Sequence, residues 1–122
     1  MKDQFSHFAC VLPVTTVTQS LEFYREKLGF SVEFKWNDPV DYAVIRRGES
    51  VSIHLTKSEK TIPRTDQPKM YIFLHSVDEV YKEYKAKSVE FHTPIGDREY
   101  GMRDFDILDP DGHMITFGTG IS

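Results

Sequence analysis

The sequence predicts an α+β fold: two βαβββ modules whose strands form a curved, mostly antiparallel sheet around a cleft. Three observations predict it. The first is an internal repeat. Leu21-Glu22-Phe23-Tyr24-Arg25-Glu26 is followed by Ser31-Val32-Glu33-Phe34, and Asp78-Glu79-Val80-Tyr81-Lys82-Glu83 by Ser88-Val89-Glu90-Phe91. Tyr24 to Tyr81 and Phe34 to Phe91 are both 57 apart (81 − 24, 91 − 34), so the copies match without a gap. The second is a polar stretch with two prolines, 57–68, between the copies. The third is the order of apolar periods, which reads strand, helix, then further strands in each copy.

In the first copy, Phe5 to Val14 reads as a strand that ends after Pro13. Thr16 and Gln19 have capping-box spacing and open a helix. Val17, Leu21, Tyr24 and Leu28 form its apolar stripe, so the helix body is expected over Leu21–Leu28. Gly29 suits a left-handed stop. Strands follow near Ser31–Trp36, Tyr42–Arg47 and Ser50–Thr56.

The second copy opens with a strand at Met70–His75. Ser76 and Glu79 repeat the capping-box spacing, and a helix is expected over Val77–Lys85. A short strand near Val89–His92 precedes a loop at Thr93–Tyr100, which holds Pro94 and Gly96. Arg103–Leu108 and His113–Gly118 are then joined by Asp109-Pro110-Asp111-Gly112, a strong hairpin signal. The modules span about 5–56 and 69–120 of one domain, 1–122, with 57–68 as linker.

Strand alternation orients the side chains. Val51, Ile53 and Leu55 pack under the helices, so Ser52, His54 and Thr56 face the cleft. A three-residue loop at Pro110–Gly112 pairs Ile107 with Ile115 and Phe105 with Phe117 as core. Asp104, Asp106, Met114 and Thr116 then face the cleft. Paired aspartates on a sheet face imply that it is wet or meets a cation.

Composition narrows the partners. Nine Phe, six Tyr and one Trp among 122 residues exclude a disordered chain. A net charge of -4 disfavours nucleic acid and tolerates cationic ligands. The single cysteine, Cys10, allows no internal disulfide and fits the reducing cytoplasm. Its place in the alternation makes it a buried small hydrophobe. No apolar run is long enough to span a bilayer, and Met1-Lys2-Asp3-Gln4 opens no signal peptide. No nucleophile elbow and no phosphate loop are present.

Three stretches carry a family resemblance: Ser20-Leu21-Glu22-Phe23-Tyr24-Arg25-Glu26-Lys27-Leu28-Gly29-Phe30; Ser76-Val77-Asp78-Glu79-Val80-Tyr81; and Tyr100-Gly101-Met102-Arg103-Asp104-Phe105 running into Asp109-Pro110-Asp111-Gly112. Together they resemble the vicinal-oxygen-chelate superfamily of glyoxalases, bleomycin resistance proteins and extradiol dioxygenases. The third stretch is similar to the bleomycin resistance branch. The resemblance implies metal-ligand positions at Ala9, His54, Ile72 and Thr116, of which only His54 can coordinate. One imidazole does not hold a divalent ion, which needs three or four ligands. No metal and no cofactor are therefore expected.

The resemblance further implies a non-catalytic protein that sequesters a cationic, aromatic antibiotic as a homodimer, with clefts formed between subunits. The first strand, around Phe8 to Leu12, is then exchanged or packed across the two-fold. The alternative is a metal-dependent enzyme of glyoxalase, dioxygenase or thiol-transferase type with an altered site using His54, His7 and a carboxylate such as Asp106. The candidate ligand-binding residues are Phe34, Trp36, Tyr42, His54, Tyr100, Met102, Asp104, Asp106 and Thr116. Glu33, Asp38, Asp41 and Glu99 are further carboxylates nearby. Two residues keep two readings at this stage. Trp36 is either cleft wall or, with Val32 and Phe34, one buried face. His54 is either a ligand contact or a hydrogen-bonded cleft residue. His75, His92 and His113 are expected at the surface.

Overall fold

The computed structural model describes residues 2–121. The elements run β1 (Cys10–Val14), α1 (Val17–Glu26), β2 (Ser31–Trp36), β3 (Tyr42–Arg47), β4 (Val51–Lys57), β5 (Pro68–Phe73), α2 (Val77–Ala86), β6 (Phe91–Asp97), β7 (Met102–Leu108) and β8 (Met114–Gly120). The expected βαβββ order therefore appears twice. The strands form two four-stranded sheets rather than one: sheet A, ordered β1-β4-β3-β2, and sheet B, ordered β5-β8-β7-β6. Each is antiparallel except for its first strand, which pairs parallel to the last.

One face of each sheet packs under its helix. In sheet A it presents Leu12, Ala43, Ile45, Ile53 and Leu55, and in sheet B Ile72, Phe105, Ile107, Ile115 and Phe117; all are buried. With Tyr24, Leu28 and Tyr84 they make one contiguous core. The pairs Ile107 with Ile115 and Phe105 with Phe117 form as expected.

The repeat is real, but its register is not 57. Tyr24 and Tyr84 occupy the same position of their helices, the eighth, and both are buried. The structural offset is therefore 60 (84 − 24), one helical turn from the sequence match to Tyr81. Residues three apart share a helix face, so an apolar stripe resembles itself when slipped by a turn. Likewise Phe91 stands opposite Ile107 as Val32 stands opposite Ile45, so Phe91 is the counterpart of Val32, not of Phe34.

Other boundaries shift for local reasons. Helix α1 begins at Val17, four residues before the expected Leu21, and its cap Thr16 makes no side-chain hydrogen bond. Ser76 does cap α2, accepting from the Glu79 amide at 3.3 Å. β1 starts at Cys10 rather than Phe5, and residues 2–8 are exposed. The expected loop at Thr93–Tyr100 is strand as far as Asp97, because two register shifts let an edge strand hold Pro94 and Gly96. Gly29 adopts the left-handed conformation (φ 76°) just beyond α1.

Two junctions join the modules. At one, the β7–β8 turn docks on module one. Asp109 accepts from the Tyr24 hydroxyl at 2.9 Å, Asp111 accepts from Thr15, and His113 Nε2 donates to the Pro13 carbonyl at 2.6 Å. His113, expected at the surface, is instead buried there. At the other, Arg47 clasps Glu83 with two bonds of 2.8 Å, and Tyr84 donates to the Leu28 carbonyl.

Candidate functional site: two outward sheet faces

The faces turned away from the helices carry the predicted site residues. On sheet A, cross-strand pairing aligns two rows: Val11–His54–Val44–Phe34 and Pro13–Thr56–Tyr42–Trp36. A register shift between Val32 and Phe34 sets this arrangement. It keeps Val32 on the core side and turns Phe34 and Trp36 outward, against the reading of all three as one buried face. Phe34 and Trp36 are 48% and 57% exposed, and their rings stack at 6.2 Å. With Tyr42 and Thr56 they line a cavity of about 560 Å³. His54 meets Tyr42 edge-on, and the Tyr42 hydroxyl lies 2.6 Å from His54 Nδ1. That bond fixes the ring; Nε2 has no partner among the described residues.

On sheet B the corresponding rows are Tyr71–Thr116–Asp106–Thr93 and Phe73–Gly118–Asp104–Gly96. This face is polar and internally bonded. Asp106 accepts from Thr116 Oγ1 at 2.6 Å. Asp104 is buried and accepts from Arg98 Nε, the Tyr71 hydroxyl and the Tyr100 hydroxyl. Burial works against its charge, but these three bonds prevail and hold its carboxyl below the usual range. Tyr100 is 66% exposed beside it, and Met102 lies two residues before Asp104 on β7.

Some expectations need correction. Ile72 pairs with Phe117 on the core side and is buried, so it is no cleft position; Tyr71 and Phe73, its neighbours, face outward. Within one chain Trp36 and Tyr100 stand apart in the topology, Trp36 on β2 of sheet A and Tyr100 in the β6–β7 turn of sheet B. Among the described residues, the hydrogen bonds joining the modules come from the helices, the β7–β8 turn and their flanks, and none links the two outward faces. Several expected carboxylates are already engaged: Glu33 with Arg46 at 2.7 Å, and Asp41 with Asn37. The sequence marks neither Tyr71 nor Arg98 as a site residue, and it offers Gly96 and Gly118 only as loop and strand glycines. Alternation around Ile72 could have placed Tyr71 on the outward face; the Arg98 contact had no signal.

The donor set does not suit a metal. Among the described residues no group of three His, Cys, Asp or Glu could hold an ion. His54 stands in a cross-strand row otherwise made of Val11, Val44 and Phe34, and Thr116 is bound to Asp106. His7 lies before β1, paired with Ser6.

The chain is 28% identical to a bleomycin resistance protein of Geobacillus stearothermophilus over 87% of its own length and 90% of that protein. A bleomycin resistance protein of Staphylococcus aureus matches equally. A bleomycin-binding protein from bleomycin-producing Streptomyces verticillus, solved with copper(II)-bleomycin, superposes with a TM-score of 0.79 at 26% identity, covering 98% of this chain and 99% of that one. A glyoxalase-related enzyme from Clostridium phytofermentans shares the fold at a TM-score of 0.81 and 20% identity, with 96% of each chain covered. The family match extends over residues 4–117 and takes in both modules, so the chain belongs to the Glyoxalase/Bleomycin resistance protein/Dioxygenase superfamily.

Proposed function

We propose that this protein binds a cationic, aromatic antibiotic of the bleomycin type and lowers its free concentration, without converting it. The observation that carries this reading is the outward face of sheet A. It offers a stacked Phe34–Trp36 pair, half exposed over a cavity, and one imidazole. Such a surface stacks planar rings and lacks the donors for metal chemistry. Similarity to the bleomycin resistance proteins and to the structure holding copper(II)-bleomycin supports it.

The working unit is a homodimer. Phe34, Trp36, Val11, Phe73 and Tyr100 are exposed on the two outward faces, and Phe5 and Phe8 on the segment before β1. A second copy that sets its sheet B against this sheet A covers them and closes a cleft. The aromatic residues Phe34, Trp36, Tyr42 and His54 then come from one subunit, and Tyr100, Met102, Asp104, Asp106 and Thr116 from the other. Sequestration needs only mass action.

One feature favours a second reading, a metal enzyme with an altered site: His54 is oriented through Nδ1 with Nε2 open, as a ligand imidazole is. Two measurements decide. Calorimetric titration with bleomycin is expected to show heat that shrinks as salt rises; no heat and no thermal shift would remove the drug reading. Elemental analysis is expected to find no stoichiometric transition metal; a metal lost on His54→Ala would promote the enzyme.

A further inference from the structure

Asp104 stands between two glycines. Gly96 on β6 and Gly118 on β8 are its cross-strand neighbours. Neither is required by backbone conformation, because the left-handed glycines are Gly29, Gly48, Gly101 and Gly112. What they provide is room. A Cβ on Gly118 would run into the Tyr71 phenol oxygen and stand 2.8 Å from Asp104 Cβ. A Cβ on Gly96 would stand 2.9 Å from Arg98 Nη1. Through those two spaces the partners reach the carboxylate: Arg98 Nε to Oδ1 at 2.8 Å, and Tyr71 to Oδ2 at 2.9 Å. Tyr100 closes on Oδ2 at 2.6 Å. Arg98 also donates to the carbonyls of Pro94 and Asp104, which locks its guanidinium.

The Asp104 side chain is only 4% exposed, and its charge is matched by Arg98. It has little left to offer a cation from solution. Asp106 differs: it is half-buried, and among the described residues its one side-chain donor is Thr116. Meanwhile the two phenols held by Asp104 come from different strands, and Tyr71 continues into Phe73, 4.8 Å away. A ring held by its hydroxyl has already lost the freedom that stacking would otherwise remove.

We propose that Asp104 is a positioning residue. With Arg98, Gly96 and Gly118 it fixes Tyr71 and Tyr100 as an aromatic clamp on sheet B. The clamp selects a planar ligand by shape, while Asp106 carries the charge recognition. The inference rests on the proposed small-molecule function and assigns roles within that site.

The test has two arms. In the first, the protein alone, with tyrosine rings labelled, is titrated by NMR. Both phenols have their ionisation pushed upward, Tyr71 by burial and then Asp104, Tyr100 chiefly by its bond to Asp104. Both are expected to remain protonated beyond the ordinary pH of about 10, and Asp104→Asn to bring Tyr100 back toward it. Phenols that titrate ordinarily in the wild type would overturn the clamp whatever the drug does. In the second arm, bleomycin is titrated at low and moderate salt. Tyr71→Phe, which keeps the ring, and Asp104→Asn are each expected to weaken binding about tenfold with an unchanged salt slope. Asp106→Asn is expected to reduce the slope. A slope that falls with Asp104→Asn as with Asp106→Asn makes Asp104 a counter-ion and overturns the assignment. Absence of bleomycin binding by the wild type removes the proposed function instead, and the first arm then decides the clamp.

Discussion

Equivalent places in the two sheets hold opposite chemistry. Where sheet A has Trp36–Tyr42–Thr56 in one cross-strand row, sheet B has Gly96–Asp104–Gly118. Where sheet A has Phe34, Val44, His54 and Val11, sheet B has Thr93, Asp106, Thr116 and Tyr71. The core rows do not diverge this way: Ile53 and Ile45 answer Ile115 and Ile107. Both modules must bury the same kind of face under one helix, so the inner rows stay aliphatic and aromatic. The outer rows are free to differ. Sheet A supplies exposed ring area, and sheet B a bonded pattern that holds rings in place. A cleft that uses one face of each gains both stacking and order.

The junctions are unequal too, and breaking them gives the largest expected effect. Asp109 accepts from Tyr24 and from the Asp111 and His113 amides, all near the core. Asp109→Ala strands these donors and is expected to cost about 3 kcal/mol in urea denaturation. Glu83→Gln removes the charge from the opposite junction, where the Arg47 pair is about a third exposed. That change is expected to cost under about 1 kcal/mol. Equal losses would mean that the two junctions share the load.

The next comparison sets Gly118 against Thr56, its counterpart in sheet A. Gly118→Ala drives a methyl into Tyr71 and Asp104 and is expected to cost about 1–3 kcal/mol. Thr56→Ala deletes atoms from a half-buried site and is expected to fall within about 0.5 kcal/mol of wild type. Thermal melts of the two variants check this. A tolerated Gly118→Ala would show that Tyr71 is not tied over that position.

These contrasts also show what could be read without coordinates. Order, strand pairing and hairpin followed from periodicity and from Asp109–Gly112, because burying one face forces a period on the chain. Periodicity leaves the direction of Phe34 and Trp36 open between cleft wall and buried face, since a single bulged residue at β2 reverses strand parity and leaves no mark in composition. The helix register slipped by a turn for the reason given for Tyr24 and Tyr84. Alternation makes Asp104 a cleft carboxylate, but its neutralisation by Arg98, six residues earlier across the β6–β7 turn, depends on geometry that spacing does not encode. That no hydrogen bond among the described residues links the two outward faces within one chain is a matter of module packing, beyond any local pattern.

Acid sharpens the contrast within sheet B. Asp104 is held below the usual carboxylate range, so the folded state binds its proton less tightly than the unfolded chain. Its stabilisation is therefore complete above a pH of about 4 and is lost as pH falls through the lowered value. Asp109 is shifted upward by burial, despite its donors, and has the opposite sign: stability falls as pH rises past the ordinary range toward the raised value. Urea midpoints measured from neutral pH down to about 3 are expected to fall less steeply for Asp104→Asn than for wild type. Parallel curves would mean that the Arg98 contact does not hold the Asp104 charge in solution.

The smallest expected effect lies on the helix faces. Ser20 is buried on α1, and its hydroxyl is the one buried side-chain polar atom without a partner among the described residues. By the structural offset of 60 its counterpart on α2 is Val80 (80 − 20), which is apolar and packs against the core. Module one thus keeps a polar atom where module two has closed the same position with hydrocarbon. A buried hydroxyl with no bond costs free energy, and alanine removes it with little loss of volume while favouring the helix. Ser20→Ala is expected to leave the fold unchanged and to stabilise it by up to about 1 kcal/mol, read as a raised melting temperature. A clear destabilisation would show that the hydroxyl finds a partner in solution. Module one would then be as fully satisfied at this face as module two, and the asymmetry between them would be confined to the outward rows and the junctions.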